Sequence, residues 1–177
     1  MNLLWVFIFI SVSPIIILLI GVARTFQVGH GPQHLAFLRG QVPTALPNGF
    51  YRGSVGGRHG RWQGKSFSVA TARGINIFAT KEGGVRESQP FKFYVGKGIQ
   101  QHSLDVIKID YDLPENDLWI RPLLDEIVQI APDMYLGKLY YRLNAHTYFA
   151  LGYFELQAEV NNATSAEADT PAPMRLE

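Results

Sequence analysis

From Leu3 to Ala23 the chain carries no charged side chain. About 20 apolar residues rising 1.5 Å each match a hydrocarbon core ~30 Å thick. A segment of this kind is expected to fold as a single membrane-spanning helix. A secretory signal has a basic start and a shorter apolar centre. Here Met1-Asn2 offers no side-chain cation, and the run ends in Gly21-Val22-Ala23-Arg24. The expectation is therefore an uncleaved anchor over residues 1–24, with Pro14 tolerated as a kink. Arg24 and Arg39 follow it, which places the remaining chain on the cytoplasmic side by the positive-inside rule.

Charge is segregated along the chain. No Asp or Glu occurs before Glu82, whereas eight Lys/Arg lie between Arg24 and Lys81. A basic half beside an anchor is drawn to anionic lipid headgroups, at ~1 kcal/mol per cation near the surface. The cations are scattered singly among Gly and aromatics, so nucleic acid is not the expected partner. The chain has no cysteine, which excludes disulfides and thiolate chemistry.

Residues 25–45 read as a juxtamembrane linker, punctuated by Gly, Pro and His. His30 and His34 have helical metal-site spacing, but Gly31-Pro32 between them argues against a helix. From Leu46 short aromatic and β-branched segments alternate with Gly, Pro and Asp turns, the pattern of an all-β sandwich or barrel. Strands are expected near 47–53, 62–70, 73–79, 90–96, 104–111, 125–131, 134–143 and 147–157. Segment 116–124 is ambiguous and could be a short helix closing one end. Residues 158–177, rich in Ala, Thr, Glu and Pro, are expected to be disordered. Eight strands with short connections suggest an antiparallel meander over 46–157 that closes on itself, with room for side chains or one small ligand.

Gly60-Arg61-Trp62-Gln63-Gly64 is a Gly-x-Trp-x-Gly motif at the start of a strand. There Trp62 could plug one end of a barrel, its glycines letting the chain bend. On regular alternation Trp62 shares its face with Gly64 and Ser66, and Lys65 with Phe67; a bulge at Gly64 would shift that register. With Leu46–Gly53, Lys65-Ser66-Phe67, Val106–Asp112, Ile120–Ile127 and Tyr135–Lys138, the motif resembles small proteins of unknown function named for it. These belong to the broader lipocalin, fatty-acid-binding and nitrobindin-like (calycin) barrels. The resemblance implies an up-and-down β-barrel that binds a hydrophobic ligand. It also implies a haem possibility through the late His146, and otherwise no cofactor.

Catalytic signatures are sparse. Gly53-Ser54-Val55-Gly56-Gly57 lacks the first glycine of a nucleophile elbow, because Arg52 stands there. Gly96-Lys97-Gly98 lacks phosphate-loop spacing. Asp110, Asp112, Glu115 and Asp117 lack the central Gly of a calcium loop. The candidate ligand-binding set is Arg52, Trp62, Lys65, Phe67, Lys108, Asp110, Tyr111 and Arg121. Cations turned inward would meet a carboxylate or phosphate head while aromatics hold a tail. The expected function is an anchored barrel binding a hydrophobic or amphipathic molecule at the membrane surface. An enzyme acting on a lipid-like substrate, an isomerase or hydrolase, is one alternative. A solid-barrelled accessory subunit of a membrane complex is another.

Overall fold

The structure, a computed structural model, describes the backbone of residues 3–159 and the side chains of residues 16–159. Two helices come first, α1 (Leu3–His30) and α2 (Pro32–Arg39). Eight strands follow: β1 (Gly49–Ser54), β2 (Trp62–Ser68), β3 (Arg73–Ala79), β4 (Val85–Lys97), β5 (Asp105–Asp110), β6 (Leu123–Ala131), β7 (Met134–Arg142) and β8 (Tyr148–Ala158). Each pairs antiparallel with the next, and β8 pairs with β1 to close the barrel. Closure satisfies the backbone groups that an open sheet would expose at its edges. β4 begins earlier than its apolar residues suggest, because Val85, Arg86, Glu87 and Ser88 also pair with β3.

The alternation that builds the barrel is plain in β5. Ile107 and Ile109, with Tyr111 just beyond the strand, enter the interior core, while Lys108 and Asp110 face outward. β2 is different. Its register with β3 shifts between Trp62 and Gly64, and Gly64 has φ +140°. A Cβ at Gly64 would lie 2.0 Å from the Tyr51 carbonyl oxygen, so only glycine fits. The bulge returns Trp62 to the inner face, which it shares with Lys65 and Phe67. Gly53 makes room for it, since a Cβ there would come within 2.4 Å of the indole.

Up-and-down order puts the β2–β3, β4–β5 and β6–β7 turns at one end of the barrel. The β1–β2, β3–β4, β5–β6 and β7–β8 loops gather at the other. Towards the first end the interior is solid. Phe67 meets Tyr51, Phe91 and Phe93 edge-on at centroid distances of 5.3–5.7 Å. Tyr51 also meets Tyr135 at 5.4 Å. Such contacts add to area burial for aromatic pairs. In segment 116–124, residues 118–122 form turns instead of a helix and bury Ile120 against the core, and Leu123 and Leu124 open β6.

The linker reading of 25–45 is corrected. α1 continues to His30, and Pro32 opens α2 at its first turn, where its missing N–H is harmless. The Gly31-Pro32 break therefore separates two helices instead of marking solvated chain. His30 and His34 sit on different helices; His34 Nδ1 lies 3.2 Å from the Tyr153 hydroxyl. Val28 packs against Tyr140 and Ala150, and Phe37 against Val106, Val128 and Leu136. Among the described residues no helix is long and apolar enough to cross a membrane. The first part of the expected anchor lies outside the described side chains; of the expected disordered tail 158–177, Ala158 instead ends β8, and residues from 160 on lie outside the described residues.

Candidate functional site

Above the aromatic floor the barrel is hollow. A cavity of about 420 Å³ opens at the end where the β1–β2 and β5–β6 loops meet. Trp62, Phe78, Leu123, Leu139, Leu151 and Phe154 supply most of its apolar wall. At its base stands a buried polar cluster of Lys65, Asn76, Tyr111 and Asp125.

The wiring of this cluster decides its chemistry. Lys65 Nζ donates to Asn76 Oδ1 at 2.9 Å, to the Tyr111 hydroxyl oxygen, and to Asp125 Oδ2 at 3.0 Å. An ammonium has three donors, so all of Lys65's are taken. Tyr111 in turn donates to Asp125 Oδ2 at 3.0 Å. Asn76 accepts from the Trp62 indole N–H at 2.9 Å and donates to the Gln89 carbonyl at 3.1 Å. Gln89 holds φ +56°, a sparsely populated conformation for a residue other than glycine. Asp125 Oδ1 is buried without a partner.

Electrostatically the cluster is a paired charge in an aromatic box. Lys65 Nζ lies 5.1–5.4 Å from the ring centres of Trp62, Phe91, Tyr111 and Phe154. Burial pushes the Lys65 pKa below its ordinary value, although the Asp125 carboxylate pulls it back. Burial, and next the charge of Asp125, holds the Tyr111 phenol well above its ordinary value. The cluster's one side-chain atom without a partner is thus a carboxylate oxygen, an acceptor, enclosed within a residue that borders the cavity.

Of the residues singled out in the sequence, Trp62, Lys65 and Tyr111 line the cavity. Phe67 lies in the solid part of the core. Arg52 faces solvent and pairs with Glu159. Lys108 and Asp110 are on the outer face, Asp110 with Lys92 at 3.3 Å. Arg121 holds Asp112 in the β5–β6 loop at 2.8 Å. His146 is exposed in the β7–β8 loop. No histidine lines the cavity among the described residues, so it offers no imidazole ligand to a haem. No cluster of three metal-ligating side chains is found among them either. Asn76 and Asp125 were missed. β6 is buried on both faces, which hides Asp125 among apolar neighbours. Asn76 announces itself only as a polar residue in the strand Arg73–Ala79.

A second buried polar group sits outside the barrel wall, beneath α1, α2 and the β4–β5 connection. Lys138 Nζ donates to Gln100 Oε1 at 2.7 Å, and Glu126 Oε1 accepts from the Ile99 N–H at 2.6 Å. Burial pushes Lys138 down to about 8, against the pull of Glu126. Burial also raises Glu126, and it raises Tyr140 and Tyr153 with help from the Glu126 charge. An unfolded lysine keeps its proton to about pH 10.4. Between pH 8 and 10 the unfolded chain therefore binds more protons at Lys138 than the folded one, and this group's contribution to stability rises with pH. From about pH 9 upward the tyrosines with raised pKa reverse the sign, because the folded state holds protons that the unfolded state releases. The expected result is a melting temperature that climbs from pH 8 to about 9, by about 1 kcal/mol in stability, then levels and falls. Lys138→Met should remove most of the climb; a flat profile in the unaltered chain would show Lys138 to be solvated.

No protein-family model matches the chain. No curated protein matches it. Among solved structures, the crystal structure of a protein from Thermomonospora curvata is similar, with 16% sequence identity and a TM-score of 0.50. The match covers 70% of this chain and 83% of that one. The likeness is one of fold. The closed eight-stranded antiparallel barrel is consistent with the calycin-like barrel that the Gly-x-Trp-x-Gly resemblance implies.

Proposed function

We propose that this protein is a membrane-anchored binding barrel that holds a small amphipathic molecule whose polar end is neutral and donates a hydrogen bond. The observation that carries this reading is Asp125 Oδ1, buried beside an apolar cavity with no partner. Lys65 is already neutralised by Asp125 and has no donor left. A carboxylate or phosphate head at the base of the cavity would meet no free cation there, because the other cation that lines the cavity, Arg24, stands at the mouth, and an unpaired buried charge costs several kcal/mol. A hydroxyl or amide N–H would instead satisfy the orphan oxygen. The cavity volume falls within the ~300–1,000 Å³ of small-molecule sites. The apolar run Leu3–Ala23 supports the anchor.

Mass spectrometry of small molecules extracted from the purified full chain tests this. An apolar alcohol or amide should accompany the unaltered protein and be lost from Leu139→Trp, which fills the cavity. Recovery of fatty acids or phospholipids at the level of the protein would overturn the reading, as would an empty barrel. An enzyme is the second reading, favoured by the same residue: a turn of the Asp125 side chain towards the cavity would let its carboxylate take a proton from a bound molecule. Chemical change of the recovered compound on incubation with the protein separates the two.

A further inference from the structure

The cavity and α1 share one end of the barrel. α1 meets β8 near that end: Gly21 packs on Phe149 so closely that a Cβ would come within 2.8 Å. Arg24 Nε donates to the Leu151 carbonyl at 2.7 Å, and Arg24 lines the cavity mouth. Thr25 Oγ1 accepts from the Ala150 N–H at 3.0 Å, and Val28 packs on Tyr140 and Ala150. Followed back from Gly21, α1 leaves the barrel past the mouth. Its stretch from Leu3 to Ile20 is about 27 Å of helix. Ile16–Ile20, at its near end, are 45–64% exposed.

The loops around the mouth carry their own apolar side chains into solvent. Leu118 is 80% exposed, Val85 70%, Trp119 67% and Leu143 51%. Between them stand Arg58, Arg61, Lys81 and Arg86, exposed and without an ion pair among the described residues. Glu82, Glu87 and Asp117 are unpaired acids of this end, with Glu155 opposite Ser54; with Arg24 counted at the mouth, the cations lead these acids by one. Tryptophan, leucine and arginine on one rim are the side chains that settle at an anionic membrane interface.

We propose that the barrel mouth rests on an anionic bilayer surface, so that the cavity exchanges its ligand with lipid and not with bulk water. This rests on the anchored-barrel reading and adds the orientation of the barrel. Trp119 and Leu118 enter the headgroup region, the four cations meet lipid phosphates, and Arg24 stands at the doorway between α1 and the cavity.

The chain has no cysteine, so single labels are easily placed. The full chain is reconstituted in nanodiscs of phosphatidylcholine and phosphatidylglycerol carrying nitroxide lipid. Bimane is attached at Leu19→Cys in the anchor, Leu118→Cys and Val85→Cys at the mouth, Thr71→Cys at the closed end, and Leu35→Cys on the helical flank. Lipid quenching at 19, 118 and 85 should exceed that at 71 by at least threefold. Removing phosphatidylglycerol, or the combined variant Arg58→Glu, Arg61→Glu, Lys81→Glu and Arg86→Glu, should lower quenching at 118 and spare it at 19. Quenching at 19 without 118 and 85, or at 35 in their place, overturns the orientation and leaves the anchor standing. No quenching at 19 overturns the anchor and the orientation together. Mouth quenching that ignores phosphatidylglycerol overturns the anionic surface as the partner.

Discussion

Asp125→Ala is expected to cost about 3–5 kcal/mol, the usual penalty for stranding one member of a buried ion pair. Against a total stability of ~5–15 kcal/mol that leaves a barely folded domain. The cause is local. Lys65 is 3% exposed, and Asp125 Oδ2 is its sole charged partner among its contacts in the aromatic box. Without that carboxylate the lysine must fold as a neutral amine, and Tyr111 loses its acceptor as well. Removing the stranded charge should reverse much of the damage. Asp125→Ala with Lys65→Met is expected to melt higher than Asp125→Ala alone, because an apolar replacement of the whole pair avoids the desolvation cost. Melts of the two single variants, the double variant and the unaltered chain close a cycle. Costs that simply add would show that the two side chains do not depend on one another.

The second large effect concerns the motif. The sequence suggests Trp62 as the plug of the barrel, yet the structure gives that place to Phe67. Phe67 is 4% exposed and touches three other rings, so Phe67→Ala should cost about 3–5 kcal/mol. Trp62 borders the cavity instead. Its removal enlarges a space that already exists, and it gives up the bond to Asn76 and the edge contact with Phe154 at 5.5 Å. A cost of about 2 kcal/mol is expected, smaller than for a fully enclosed ring. Thermal melts of the two variants side by side settle the order. A larger loss for Trp62→Ala would return the plug to the motif.

The structure also changes what the cavity asks of a ligand. Four cations and an acid in the candidate set suggested an anionic head. Only Lys65 among those cations turns inward, and it arrives already paired. Arg52, Lys108 and Arg121 spend their charge on the surface or the rim, as lone long cations usually do. A charged interior therefore becomes a neutral one with an unfilled acceptor.

Much of the architecture was legible in the chain alone, since period-two alternation and turn residues are local properties. The eight strands lie close to where the aromatic segments place them, and Ile107, Ile109 and Tyr111 face inward as their spacing requires. The glycines around Trp62 marked a bend, and Gly64 makes it. What needed the closed barrel was every fact that depends on a distant neighbour. Alternation cannot reveal Asp125, because β6 buries its outer face too, with Leu124, Glu126 and Val128 covered as fully as Asp125 and Ile127. Local pattern cannot place Lys65 inside, since its neighbours Gly64 and Ser66 mark neither face as apolar, and only the bulge and the register bring it inward with Trp62 and Phe67. Nor can it foresee α2, because Gly31-Pro32 reads as a break from one side and as a helix start from the other. Sequence alone determined which segments become strands; which polar side chains share the interior was decided only when β2, β3 and β6 met around one axis.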